Sequence, residues 1–136
     1  MLDAWPIARY AEGEPVIVAE IDELLEDPLP TFICSTNLGE AYYTLARRNG
    51  YRRADHIWDH FCRNAQVEVP TLDVTYNTAH LAVTSRIPWA DAHAAATAIA
   101  HNAAVRAGDK HLNKPGPWKR RDLRNLSATP RSGREK

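Results

Sequence analysis

The chain has 136 residues, 44% of them apolar, with 17 acidic and 17 basic side chains. That length fits one domain with a sizeable core, and zero net charge argues against a protein that holds nucleic acid by bulk charge alone. No apolar run reaches the roughly 18 residues that span a bilayer, and MLDAWPIARY lacks a basic, apolar, small-residue signal pattern, so a soluble cytoplasmic protein is expected.

Charge is distributed unevenly. Residues 1–68 carry 12 acids and 6 bases, whereas residues 69–136 carry 5 acids and 11 bases, so one half suits a cation and the other an anionic polymer. Cys34 and Cys62 have neither CxxC nor Cys/His spacing, which excludes a zinc ribbon or a disulfide framework and predicts two reduced thiols in or near the core.

In chain order, Met1 and Leu2 leave almost no strand ahead of Asp3, which would mean an upstream start or a weakened sheet centre. WPIARYAEGEP reads as a turn and short helix, with Pro6 tolerated in the first turn. VIVAEIDELLE, residues 16–26, reads as a second helix stopped by Pro28 and Pro30. TFICS, residues 31–35, is short, apolar and β-rich, as a buried parallel strand should be.

STNLGEAYYTLARRNG then starts a helix, with Leu38, Ala41, Tyr42, Leu45 and Ala46 on one face and Asn49-Gly50 as its stop. Asn37-Leu38-Gly39-Glu40 resembles a capping box, which would place Glu40 in the first turn, and Gly39 suggests a close backbone contact. A helix over 52–63, a strand in QVEVPTL, a helix capped by Asp73 and running to about Arg86, an Ala-rich helix in WADAHAAATAIAHNAA and a strand in AVRAGD follow. This alternation indicates an α/β fold with a parallel sheet. One domain is expected over 1–114, followed by a basic, poorly ordered tail over 115–136 that is rich in Pro, Gly, Ser and Arg.

Asp3, Glu40, Asp91 and Asp109 share one topological position, just beyond the carboxyl ends of predicted strands, where open parallel sheets build their sites. Carboxylates gathered there raise one another's pKa unless a cation compensates them, and a hard dication such as Mg²⁺ is the natural compensation. Taken singly, each acid has an ordinary reading as a cap, a first-turn acid or a turn residue. The histidines show no HxH or HExxH spacing, and no phosphate-binding glycine loop or GxSxG elbow occurs.

Taken in order, LDAWPIARYAEGEP, STNLGEAYYTLARR, IPWADAHAAATAIAH and AGDKHL resemble a PIN domain over about residues 2–112, and within it the VapC-type toxins of toxin–antitoxin pairs. The resemblance implies a three-layer α/β/α fold and a ribonuclease site in which Asp3, Glu40, Asp91 and Asp109 hold Mg²⁺ or Mn²⁺. Asp3 and Asp91 would be direct ligands, Glu40 and Asp109 would complete the site through water or a second ion, and metal-activated water would cleave RNA. It also implies a homodimer and a VapB-like antitoxin that blocks the site. Trp5 and Ala107 stand where relatives often carry hydroxyl or amide side chains. They motivate the alternative of a catalytically impaired binding or dimerisation module; a PIN nuclease of RNA processing is the third reading.

Overall fold

The structure is a computed structural model that describes residues 1–124 and Leu126. Its elements are α1 (Ala4–Ala11), α2 (Pro15–Glu26), β1 (Phe32–Cys34), α3 (Ser35–Asn49), α4 (Tyr51–Asn64), β2 (Gln66–Glu68), α5 (Leu72–Thr84), α6 (Trp89–Ala100), β3 (Ala104–Ala107) and β4 (Lys119–Asp122). Strand β1 pairs with β2, and β3 with β4, both in parallel.

The first three residues join these two pairs. Leu2 donates its N–H to Phe32 (3.0 Å), Arg106 donates to the Met1 carbonyl (2.8 Å), and Asp3 donates to Arg106 (3.1 Å). Leu2 thus bridges Arg106 in parallel, and five short segments lie in the order β2, β1, residues 1–3, β3, β4. The brevity of the chain before Asp3 therefore does not leave the sheet centre empty.

Alternation along the strands sends side chains to two cores. Leu2 and Ile33 face one apolar cluster with α1, α2, α3 and α4, while Met1, Cys34, Val105 and Ala107 face another with α5 and α6. Helices cover both faces, giving three α/β/α layers. Helix α6 is buried continuously from Asp91 to Ala98 because its run of alanines lets neighbours approach its backbone on most sides. Among the described residues, no helix is long and apolar enough to cross a membrane.

Several local expectations are corrected. Helix α3 begins at Ser35, directly on the end of β1, so Asn37 and Glu40 form no capping box and Glu40 lies beyond the first turn. The extended backbone of Cys34 is fixed by the sheet, and the helix starts as soon as the strand ends. A Cβ on Gly39 would meet nothing within 4 Å, so no close contact explains it. Thr71, not Asp73, caps α5, its hydroxyl accepting from the Val74 N–H at 3.1 Å. Helix α6 ends at Ala100, and Asn102 takes a left-handed conformation (φ 51°) that turns the chain into β3. Cys34 is buried, but Cys62 is exposed.

The expected tail from 115 begins with residues that pack. Trp118 is 3% exposed and donates its indole N–H to the Leu112 carbonyl (2.9 Å); β4 lies along β3, and Leu123 is fully buried. A Cβ on Gly116 would fall 2.5 Å from the Trp118 ring, so the glycine is what lets the tryptophan fold back. The basic run of β4 is then the charged, exposed edge of a sheet. Residues 125 and 127–136 lie outside the described residues.

Candidate metal centre

The sheet order explains how acids remote in sequence meet. Asp3 ends the central segment and stands at the N-cap of α1. Asp91 is in the first turn of α6. Asp109 lies two residues past β3, in a loop that folds around it: Asp109 Oδ1 accepts the Leu112 N–H (2.8 Å), and the Asn113 amide donates to the carbonyls of Ala107 (3.1 Å) and Asp109 (2.8 Å). One carboxylate oxygen from each of Asp3, Asp91 and Asp109 lies within 4.8 Å of the other two.

Glu40 is outside this close group and exposed, but lines the same cleft of about 390 Å³, together with Trp5, Arg9, Glu12 and Arg48. The four acids singled out in the sequence therefore share one cleft, arranged as a close trio with Glu40 at its rim. Asp109 sits in the trio with Asp3 and Asp91.

Burial and mutual repulsion govern the electrostatics. Asp3 is 2% exposed, and burial, followed by the Asp109 charge, pushes its pKa up to about 7. Asp91 is raised to about 8 by burial first, then by the hydrogen bond it shares with Asp109 and by the charges of Asp109, Asp3 and Glu40. Glu40 is raised by partial burial and then by Asp109. The arginines of the cleft do not neutralise the trio, because Arg9 pairs with Glu14 (3.1 Å) and Arg48 with Glu12 (3.2 Å). Acids so placed either keep protons or gather a cation.

The donor set fits a small hard dication. It is all oxygen, carries several charges and opens to solvent, as Mg²⁺ or Mn²⁺ sites do; no histidine or thiol belongs to the close group. His93 is buried on α6, its Nδ1 against the Trp89 carbonyl (3.2 Å), and His101 bonds Glu68 (2.6 Å).

The surroundings contain residues the sequence alone did not assign to the site. Asn37 is fully buried, and its amide group donates to Asp3 Oδ1 (3.3 Å) and to the Ala90 carbonyl (2.9 Å). Its cap-like setting in STN concealed this role. Trp5 packs on Gly108 so closely that a Cβ there would lie 2.1 Å from the indole, and the Arg9 guanidinium stands 4.8 Å from the ring centroid. Ala107 is buried in the core on the α5–α6 side, whereas Trp5 itself forms a wall of the cleft.

Solved structures of the same fold exist. The fold matches the structure of VapC20 from Mycobacterium tuberculosis, described as a sarcin-ricin loop cleaving toxin, at TM-score 0.67 and 19% identity over 82% of this chain and 90% of that one. It matches VapBC-1 from nontypeable Haemophilus influenzae at TM-score 0.72 and 18% identity, over 91% and 97% of the two chains. No curated protein matches by sequence. The family model of the PIN domain matches residues 1–116. With that match spanning most of the sequence, and the sheet order and acidic cleft described above, this chain is a member of the PIN domain family.

Proposed function

We propose that this protein is a divalent-cation-dependent endoribonuclease acting as the toxin of a VapBC-like toxin–antitoxin pair. The observation that carries the reading is the trio Asp3, Asp91 and Asp109, the first two buried and the third partly so, gathered at the carboxyl end of a parallel sheet with no ion pair of its own among the described residues and open to a cleft. The description of VapC20 as a sarcin-ricin loop cleaving toxin, and the fold shared with VapBC-1, support the same reading.

Asp3, Asp91 and Asp109 would hold Mg²⁺ or Mn²⁺, with Glu40 at the rim. When bound, such an ion supplies Lewis-acid activation of water and neutralises charge developing on a phosphodiester. The chain's own part is to hold the carboxylates in place: the Leu112 N–H fixes one oxygen of Asp109, and the Asn113 amide closes the loop behind it. Arg9 and Arg48 line the mouth of the cleft, where an RNA backbone would enter. Hydrolysis adds water across one P–O bond, leaving a phosphate on one fragment and a hydroxyl on the other.

The same reading brings RNA as substrate, a VapB-like antitoxin that covers the cleft, a homodimer and a cytoplasmic location. Its test is purified protein, free of antitoxin, incubated with RNA and Mg²⁺ or Mn²⁺. Cleavage abolished by chelator and by Asp3→Ala or Asp91→Ala is expected, and no cleavage with either ion would overturn it.

Trp5 favours one alternative, a PIN-fold binding module without turnover, because its indole takes up room beside Asp3 and Asp109. Calorimetry with Mn²⁺ separates the two, since the module would show no binding.

A further inference from the structure

Asn37 is fully buried in the first turn of α3, where an apolar side chain would be the ordinary occupant. Its amide group spends both hydrogens on the site, one on Asp3 Oδ1 (3.3 Å) and one on the carbonyl of Ala90 (2.9 Å), the residue before Asp91. The opposite assignment of the amide would set its oxygen against two other oxygens, so the donor orientation is dictated by its partners. The remaining atom, Asn37 Oδ1, is buried and has no hydrogen-bond partner among the described residues. An unpaired buried carbonyl is destabilising, and a leucine of similar size would avoid it. The amide is thus poorly explained as packing and well explained as a double donor.

We infer that Asn37 is a positioning residue of the acidic centre, tying the carboxylate of Asp3 to the first turn of α6 so that Asp3 and Asp91 face one cation. This rests on the metal-site reading above. A neutral donor suits this role, because a lysine or arginine here would itself satisfy Asp3 and compete with the ion, while an aspartate would add repulsion and offer no donor. The link also joins three parts of the sheet's carboxyl end, because α3 follows β1, Asp3 ends the central segment, and α6 packs on the opposite face.

The test titrates Mn²⁺ into the purified full-length chain and follows it by calorimetry, by the metal-induced rise in Tm, and by the electron paramagnetic resonance spectrum of the ion. Asn37→Leu should keep the circular dichroism and metal-free Tm of the parent, weaken Mn²⁺ binding by roughly 10- to 100-fold and alter the spectrum. Asn37→Ser, which retains one donor, should bind at an intermediate level. A folded Asn37→Leu that binds Mn²⁺ with parental affinity and spectrum overturns the inference while leaving the metal reading intact. If only Asn37→Ser folds, parental affinity in that variant overturns it equally, and if neither folds, Asn37 is a core residue and the inference fails. Absence of Mn²⁺ binding in the parent protein would remove the metal reading as well.

Discussion

Acids stand at the carboxyl end of the sheet both at its edges and at its centre, and the two groups are treated differently. At the edges, β2 ends on Glu68, which bonds His101 (2.6 Å), and β4 ends on Asp122, held by Arg124 at 2.7 Å. That hydrogen bond keeps the Asp122 carboxyl below its ordinary value. At the centre, Asp3, Asp91 and Asp109 form no ion pair among the described residues, Arg124 reaching Asp109 only as a more distant charge, and Asp3 and Asp91 are pushed far up. An acid at a strand end is therefore not by itself a site. What distinguishes the centre is burial of like charges without compensation, a locally unfavourable arrangement that a bound cation would reverse.

The largest effect expected from that contrast follows removal of a central charge. Asp3→Asn or Asp91→Asn should weaken Mn²⁺ binding and RNA cleavage by roughly 100-fold or more, while raising the metal-free Tm at pH 8. Calorimetry and thermal melts check both halves, and a fall in metal-free Tm would show that the central acids stabilise the fold as the edge acids do.

Next in size is Gly108→Ala. The added Cβ must displace Trp5, at a cost of about 1–3 kcal/mol for overpacking. Combining it with Trp5→Ala should recover most of that loss in a double-mutant cycle. Additive losses would mean that the indole is not what keeps residue 108 a glycine.

Stability should also depend on pH in a direction set by the centre. Asp3 and Asp91 bind protons more tightly in the folded chain, with pKa about 7 and about 8 against 3.8 unfolded. Their contribution is thus complete below pH 3.8 and is lost as pH rises through 7 and 8. The metal-free Tm should fall over that window, and Mn²⁺ should oppose the fall at its upper end. A metal-free Tm that stays level from pH 5 to 8 would contradict the raised values.

The smallest effect belongs to the edge. Arg124→Ala should leave the Tm almost unchanged, since its pair with Asp122 is screened by solvent, and should alter Mn²⁺ binding far less than Asp3→Asn, since Arg124 acts on Asp109 only through its charge. A change in Mn²⁺ affinity as large as that of Asp3→Asn would blur the line between edge and centre.

Much of this was readable along the chain. The periodicity of Leu38, Ala41 and Leu45 placed α3, and all four acids marked from their positions beyond strands line one cleft. What escaped were features whose causes are distant in sequence. Asn37 looked like a cap because STN is a cap-like run, yet its partners are Asp3 and Ala90, brought near only when β1 lies beside the first residues. Residues 115–124 had the composition of a loose tail, but Trp118 folds over Gly116 and carries β4 onto β3.

By itself, then, the sequence determined the helices, the extended segments before residue 108, the parallel sense of the sheet and the acids at strand ends, because these depend on local periodicity and on chain direction. Tertiary structure decided which acids lie close together and which are neutralised. Charge pairing and burial depend on distances of a few ångströms between residues as far apart in sequence as Asp3 and Asp109, and those distances exist only once the five segments of the sheet are assembled.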